Sequence, residues 1–214
     1  MSATQIYLIR HGQSLANEMD AFLGHDDLDL TETGRRQAEM TAEYLKDIPV
    51  DVIYSSDLKR AYHTSLATAE KKGMQVIRNK NLREVNAGEW EQKTFRELVS
   101  SYAEDFGVWV NDIGNARCTG GESVVELQQR FTTEVEKLAR ENEGKTIFIF
   151  THATPIRVLR AAWENKTKDE IKLVPWASNA SVTRGIYEDG AFRILEYSID
   201  SFMGGLVTAL PESV

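Results

Sequence analysis

The sequence predicts an α/β protein: a three-layer αβα sandwich with a mostly parallel central sheet and a small helical cap insertion. Residues 6–9 and residues 146–151 are apolar runs of strand length, rich in β-branched and aromatic residues. Segments with apolar residues at helical spacing separate such runs, and strands that alternate with helices are typical of parallel sheets. Each run is closely followed by a histidine, which packing in a core strand would not select.

The first half of the chain predicts strands that alternate with two helices. Thr31 is a suitable N-cap for a helix that continues to Lys46, and small residues such as Gly34 on its inner face indicate close packing on the sheet. Ser56 is the expected N-cap of the second helix, whose apolar residues share one face. The predicted strands are residues 6–9, 52–55 and 75–78.

Residues 93–120 interrupt this alternation, and we expect them to form the cap insertion over a pocket. The segment holds a polar helix at 94–101, the aromatic residues Phe106 and Trp109, and a mixed loop as far as Cys118. No linker or internal repeat divides the chain, so we expect residues 1–214 to form a single domain, a size that allows a large core.

The second half predicts two more helices and a hairpin. Ser123 and Glu126 have the spacing of a capping box before a long amphipathic helix. Thr154 and Pro155 fit the N-cap and first position of the helix after strand 146–151. Two alternating segments joined through Asp189-Gly190 predict a β-hairpin at 181–187 and 192–198.

Composition and charge exclude several classes of protein. The 214 residues are 42% hydrophobic and 27% charged, as in ordinary globular proteins. A net charge of −8 argues against nucleic-acid binding, which depends on a clustered basic face. No apolar run approaches the roughly 18 residues that a membrane span needs, and the chain enters its first strand without a signal peptide.

Cysteine and histidine usage bear on compartment and metal binding. The single cysteine, Cys118, excludes an internal disulfide and agrees with a reducing, cytoplasmic location. The four histidines have no zinc-like spacing with it, so we expect no metal site. The oligomeric state stays open, with a homodimer as one option.

The candidate site begins where the first strand ends. Arg10 and His11 follow the apolar run directly, and side chains at the carboxyl end of a strand in an open α/β sheet point toward bound ligands. Gly12 allows a sharp turn or a close backbone approach. Further hydrogen-bonding groups follow at Gln13, Ser14 and Asn17.

Three more candidates occupy comparable places. Arg60 falls off the apolar face in the first turn of its predicted helix, at the same rim as His11, although such an arginine is usually just solvated. Glu84 lies in a loop between a strand end and a glycine. His152 ends the second clear buried strand, which repeats the pattern of the first.

Five stretches, in order along the chain, resemble signatures of the histidine phosphatase superfamily, the phosphoglycerate mutase-like proteins. They are Arg10-His11-Gly12-Gln13-Ser14, the run 55–61 around Arg60, the run 82–91 that begins Leu82-Arg83-Glu84, the triplet Gly121-Glu122-Ser123, and His152. The resemblance implies that His11 is the phosphorylated nucleophile and Glu84 the general acid. It implies that Arg10, Arg60 and His152 bind the transferring phosphoryl group, and that insertions like residues 93–120 set substrate choice.

The chemistry agrees with these roles. A neutral imidazole can act as a covalent nucleophile, and the phosphoryl charge requires several cationic donors. Nothing in this chemistry requires a metal ion or a cofactor. Where the family usually has glycine after the second histidine, this chain has Ala153 and Thr154, and we expect the methyl group of Ala153 to narrow the substrate pocket. Two roles are open for Glu122. Its carboxylate either interacts favourably with the N-terminus of the following helix, which needs no function, or lies in the pocket and selects the leaving group.

The expected activity is hydrolysis of small phosphorylated metabolites by a phosphomonoesterase. The alternative is a 2,3-bisphosphoglycerate-dependent phosphoglycerate mutase, which returns the phosphoryl group to bound product. The short interval from Glu84 to Gly121 favours water entry and hydrolysis, because mutases resemble chains with a longer insertion there. A catalytically dead binding module is disfavoured by the intact set of five candidate residues.

Overall fold

A six-stranded mixed sheet forms the centre of the protein in the computed structural model, which describes residues 2–210. The strand order is β3-β2-β4-β1-β5-β6. The parallel pairs are β1–β4, β4–β2 and β2–β3, while β5 runs antiparallel to both β1 and β6. The strands are β1 (Thr4–Arg10), β2 (Val52–Ser55), β3 (Val76–Arg78), β4 (Thr146–Thr151), β5 (Val182–Glu188) and β6 (Ala191–Ile199).

Helices cover both faces of this sheet. They are α1 (Leu15–Glu18), α2 (Glu32–Leu45), α3 (Lys59–Lys72), α4 (Phe95–Ser101), α5 (Ala103–Asn111), α6 (Val124–Glu141) and α7 (Ala153–Trp163). Short 3₁₀ helices connect several of them.

The side chains of β1 alternate between two apolar clusters, one on each face of the sheet. Ile6 and Leu8 belong to a cluster that includes residues of α6 and α7. Tyr7 and Ile9 belong to a second cluster, which includes residues of α2 and α3. Successive strand residues point to opposite faces, so this alternation places a helical layer on each side. The predicted three-layer αβα sandwich with a mostly parallel sheet is confirmed.

Residues 93–120 build a third apolar cluster away from the sheet faces. Phe106 and Trp109 of this segment are buried in it, together with Trp90 and residues of α6 and α7. The helix expected at 94–101 is present as α4, but the mixed loop expected after it begins instead with a second helix, α5. The prediction missed α5 because Phe106 and Trp109, which fix its buried face, are only three residues apart in a helix of nine residues.

Two predicted helix starts are wrong. Ser56 does not cap α3, which begins at Lys59 after Leu58 and has no side-chain cap. Thr154 and Pro155 lie inside α7, which begins at Ala153 with His152 as its N-cap. In both cases the N-cap is an extended residue without the usual capping side chain, Leu58 before α3 and His152 before α7. Contacts to neighbouring strands, rather than capping chemistry, decide where these helices begin.

The other turns and caps agree with the sequence. The Thr31 side chain accepts a hydrogen bond from the Gly34 backbone, and Ser123 forms the expected capping box with Glu126. Asp189 and Gly190 both have positive φ, 51° and 80°, as a tight hairpin turn between β5 and β6 requires.

The loop after β1 packs directly on the start of α2. A Cβ atom added to Gly12 would lie 2.4 Å from the Gly34 carbonyl oxygen, and one added to Gly34 would lie 2.0 Å from the Gln13 carbonyl oxygen. Only glycine therefore fits at either position, which fixes the backbone just beyond the first strand.

Within residues 2–210, no helix has the length and apolar character needed to cross a membrane. The single-domain prediction for residues 1–214 stays a prediction, because its two ends lie outside the described part of the chain.

Candidate active site

The ends of β1 and β4 bring the two histidines together. Arg10 pairs with Thr151 in the parallel ladder, and the His11 backbone N–H donates to the Thr151 carbonyl oxygen over 3.0 Å. The next residue on each strand is therefore a histidine. The two ring centroids lie 5.2 Å apart with the planes at 61°, and both rings are buried.

The ring of His11 is held by its own loop. Nδ1 lies 2.7 Å from the Gly12 carbonyl oxygen. A carbonyl oxygen only accepts, so Nδ1 carries the proton and the lone pair of the neutral ring is on Nε2. Burial, together with the positive charges of Arg60 and Arg10, lowers the pKa of His11 well below its usual 6.5. The ring is thus neutral at neutral pH, with a nucleophilic nitrogen in a pocket-lining residue.

The ring of His152 is held from the other side. Its Nε2 lies 2.8 Å from the hydroxyl oxygen of Ser56, which also accepts the Leu58 backbone N–H over 3.4 Å. The hydroxyl proton is therefore available to Nε2, which makes Nδ1 the protonated nitrogen. This Nδ1 is buried and has no hydrogen-bond partner among the described residues. Burial and the positive charge of Arg60 lower the pKa of His152.

Two arginines supply positive charge beside His11. Arg10 Nη1 donates to the Ala177 carbonyl oxygen over 2.5 Å, while its buried Nε has no partner among the described residues. Arg60 donates to the carbonyl oxygens of Asp26 over 2.9 Å and Gly24 over 2.8 Å. Burial lowers the pKa of each arginine to about 10, which leaves both charged at neutral pH.

Glu84 completes the polar part of the pocket. Its Oε1 accepts the Val85 backbone N–H over 2.8 Å, and its Oε2 accepts the Thr154 backbone N–H over 3.3 Å. The carboxyl group is thereby held next to the start of α7, beside His152. A group that can give or take a proton lies in the same pocket as His11, Arg10 and Arg60.

The remaining candidates divide into two sets. Ser14, Asn17 and Ala153 line the pocket with His11. Gln13, expected as a further hydrogen-bonding group of the site, does not line it, and neither does Glu122, for which the sequence left two roles open. The side-chain oxygen of Gln13 accepts a hydrogen bond from Thr31 at the N-terminus of α2.

Glu122 is engaged elsewhere. It forms an ion pair with Arg130 over 2.9 Å and accepts the Asn86 backbone N–H over 3.1 Å. It lines a separate cavity with His25 and Gly120.

Several site residues have no clear signal in the sequence. Ser56, taken for a helix cap, bonds His152 instead. The side chain of Asn179 donates to the His11 carbonyl oxygen over 3.3 Å and to Asn17 Oδ1 over 3.1 Å. Most apolar residues of the pocket come from five separate segments: Ala21, Phe22, Leu23, Phe95, Trp109, Trp176 and Leu210. Of these residues, Ser56 could have been found from its position: it directly follows β2, the strand next to β4 in the sheet, so its side chain lies near His152.

A fold with two buried strand-end histidines between arginines defines a phosphoryl-transfer type of site. The chain belongs to the histidine phosphatase superfamily, branch 1, whose family model matches residues 6–200. It is 34% identical over 158 residues to phosphoserine phosphatase 1 of Hydrogenobacter thermophilus, covering 74% of this chain and 75% of that protein.

Solved structures agree with this assignment. The fold is similar to that of Bacillus stearothermophilus YhfR, with a TM-score of 0.90 and 28% identity over 94% of this chain and 99% of that one. A mycobacterial glucosyl-3-phosphoglycerate phosphatase matches with a TM-score of 0.84 and 28% identity, over 92% and 100% of the two chains. Two of these three proteins are named as phosphatases, which supports phosphatase activity for this chain.

Proposed function

We propose that this protein is a metal-independent phosphomonoesterase that hydrolyses small phosphorylated metabolites through a phosphohistidine intermediate on His11. One observation carries the proposal. The Gly12 carbonyl oxygen holds Nδ1 of His11 over 2.7 Å and so keeps the lone pair on Nε2, in a pocket that Arg10 and Arg60 also line.

The first step is attack of His11 Nε2 on the phosphorus of the ester. The nitrogen lone pair forms the N–P bond as the bond from phosphorus to the alcohol oxygen breaks, and the leaving oxygen takes a proton from Glu84. Arg10, Arg60 and the Nδ1–H of His152 stabilise the negative charge on the three phosphoryl oxygens. The backbone hydrogen bond from His11 Nδ1 stabilises the positive charge that develops on the attacking ring.

The second step transfers the phosphoryl group to water. Glu84, now a carboxylate, accepts a proton from the water molecule as it attacks phosphorus. The N–P bond breaks, its electrons return to Nε2, and inorganic phosphate leaves. The cationic groups of the site are side chains, which is the basis for proposing that no metal ion takes part. The pocket volume of about 510 Å³ supports a small-molecule substrate.

The test is phosphate release from p-nitrophenyl phosphate with and without a strong chelator. We expect turnover that survives chelation, and we expect none when His11 is replaced by alanine. Activity only on 3-phosphoglycerate, and only with added 2,3-bisphosphoglycerate, would contradict the proposal and identify a mutase. Loss of activity on chelation, restored by a divalent ion, would contradict metal independence.

A further inference from the structure

The pocket beside His11 has an extended aromatic wall. Phe22, Phe95, Trp109 and Trp176 all line it, and they come from the loop after α1, from α4, from α5 and from the loop before β5. A leaving group attached to a phosphoryl group at His11 therefore lies against aromatic rings. Burial of apolar surface there favours apolar groups.

The wall is rigidly packed. The ring of Phe22 meets that of Trp109 edge-on, with centroids 5.0 Å apart, and lies 6.4 Å from that of Phe95. Behind the wall, the ring of Phe95 stacks on that of Phe106 at 6.2 Å. Phe22 and Trp109 are buried in the apolar cluster beneath the wall, and Phe95 and Trp176 pack against that cluster, so the wall has protein contacts that hold its shape without a ligand.

The wall offers no positive charge to a second anionic group. Among the described residues that line the pocket, the basic side chains are Arg10, His11 and Arg60, and the transferring phosphoryl group engages all three. Arg157 lies behind the wall, with its guanidinium carbon 4.0 Å from the centroid of the Trp176 ring, and lines a different cavity. A carboxylate on the leaving group would thus lose water against aromatic rings without gaining an ion pair.

We propose that the preferred substrates, given the phosphatase function proposed above, are monoesters of apolar, uncharged alcohols, above all those with an aromatic ring. Alcohols that carry a carboxylate or a second phosphate are disfavoured. The inference deepens the phosphatase function by naming its leaving-group class, which differs from the serine and phosphoglycerate esters in the names of the relatives.

The experiment compares kcat/KM for three esters of primary alcohols, which need similar help from an acid. They are 3-phenylpropyl phosphate, propyl phosphate and 3-phosphooxypropanoate. We expect the phenyl ester to exceed the propyl ester by roughly 10- to 100-fold, and the carboxylate ester to be the poorest. A carboxylate ester that equals or exceeds the propyl ester would overturn the inference. Release from p-nitrophenyl phosphate but from none of the three would also overturn the inference, whereas absence of release from all four esters would refute the phosphatase function.

A matched pair of variants tests the wall itself. Phe95 lines the pocket, whereas Phe106, stacked on it, does not. Phe95→Leu should reduce the preference for the phenyl ester over the propyl ester by at least about 3-fold, while Phe106→Leu should leave that ratio unchanged. If the ratio of kcat/KM for the phenyl ester to that for the propyl ester is unchanged from the parent in both variants, the wall does not select the leaving group.

A separate cluster fixes the loop that carries Glu84. Arg130 extends from α6 and donates from Nη1 to the carbonyl oxygens of Asn81 over 2.8 Å and Arg83 over 3.2 Å. Its Nη2 donates to the carbonyl oxygen of Glu84 itself over 3.1 Å. One guanidinium group thus bonds two backbone carbonyls before the proton donor and the carbonyl of the proton donor itself.

Glu122 holds the other side of the same loop. Its carboxylate accepts hydrogen bonds from Nε and Nη2 of Arg130, each over 2.9 Å, and from the Asn86 backbone N–H over 3.1 Å. The pair is largely buried, with 23% and 14% of the two side chains exposed. Residues on both sides of Glu84 are therefore tied to one ion pair.

We infer that Arg130 and Glu122 are positioning residues for the proton donor Glu84. Their loss should slow esters whose leaving oxygen needs a proton and spare those whose oxygen does not. For Arg130→Met we expect kcat/KM for propyl phosphate to fall by about 10-fold or more, and kcat/KM for p-nitrophenyl phosphate by less than about 3-fold. Glu84→Gln should give the same pattern with a larger contrast, and Arg130→Lys should recover part of the loss.

The control is Arg117→Met. Arg117 also forms an ion pair with a glutamate of α6, Glu126, over 2.7 Å, but that pair is exposed. The other side-chain hydrogen bond of Arg117 goes to the Gly121 carbonyl oxygen, and among the described contacts it makes none to residues 81–86. This variant should retain both activities. Equal losses on the two esters in Arg130→Met would show a merely structural role, and unchanged rates on both would refute the inference.

Discussion

His11 and His152 occupy matching places in the fold, yet their rings are bound through opposite nitrogens. Each follows the carboxyl end of a parallel strand, each is buried, and each carries its proton on Nδ1 as judged from its hydrogen bonds. His11 gives this N–H to the Gly12 carbonyl oxygen, which leaves the Nε2 lone pair available. His152 uses its Nε2 lone pair on the Ser56 hydroxyl, which leaves the Nδ1–H available.

One hydrogen bond at each ring thus separates two chemical roles. An available lone pair can attack phosphorus, whereas an available N–H can only donate to a phosphoryl oxygen. The residue type and the place in the sheet are the same for both histidines. The difference in available nitrogen therefore comes from their hydrogen-bond partners, the Gly12 carbonyl oxygen and the hydroxyl of Ser56 just after β2.

The largest expected effect is that of removing the attacking nitrogen. His11→Ala should lower kcat by at least about 10⁴-fold, because the proposed covalent intermediate forms on this residue. Phosphate release measures this effect, and circular dichroism verifies that the variant folds. A folded variant with turnover near that of the parent would refute the covalent route.

A smaller loss is expected for His152→Ala. Removing one preorganised donor typically costs on the order of 10²–10³ in kcat, and the nucleophile remains in place. Residual turnover that still passes through phosphorylated His11 would support the difference between the two rings. A loss as complete as that of His11→Ala, with no phosphoenzyme, would mean that the two histidines do not have separate roles.

Stability should depend on pH because both rings are buried in the neutral form. Their pKa values are lowered on folding, so the unfolded chain binds more protons once the pH falls below the usual histidine value of 6.5. The stabilisation is fully present above that value and decreases as the pH falls toward the lowered pKa values of the folded state, by up to about 1.4 kcal/mol per pH unit for each ring.

Urea unfolding at about pH 7.5 and about pH 5.5 measures this decrease. His152→Asn removes one of the two rings and should make the decrease about half as steep. An unchanged pH dependence in that variant would show that His152 is not buried in its neutral form.

The smallest effect concerns the hydroxyl that orients His152. Ser56→Ala should lower kcat by about 2- to 10-fold, the value of one neutral hydrogen bond. Ser55→Ala is the matched control, because Ser55 is an adjacent buried serine whose hydroxyl donates to the Ser56 carbonyl oxygen over 2.8 Å rather than to a histidine. Equal activity of the two variants would contradict an orienting role for Ser56.

The sequence could predict the two histidines of the site because each follows the apolar run that forms its strand. His11 and His152 directly follow strand-like runs, and the ends of adjacent parallel strands meet wherever the sheet forms. Glu84 was recognised only through its resemblance to a family motif, since a loop glutamate carries no periodic signal.

The other features depend on contacts between distant segments. Ser56 has the chemistry of a helix cap, and only the approach of β4 turns its hydroxyl to His152. Glu122 has the chemistry of a pocket carboxylate, but Arg130, eight residues further along α6, engages it. The aromatic wall joins segments from Phe22 to Trp176, whose proximity no local pattern encodes.

The most direct test is the position of the phosphoryl group in the enzyme quenched in alkali during turnover, read by peptide mass spectrometry and ³¹P NMR. The account predicts a single phosphohistidine on Nε2 of His11, which persists at a lower rate of formation in His152→Ala. A phosphoryl group on His152, or an alkali-labile one on a serine such as Ser14 or Ser56, would contradict it.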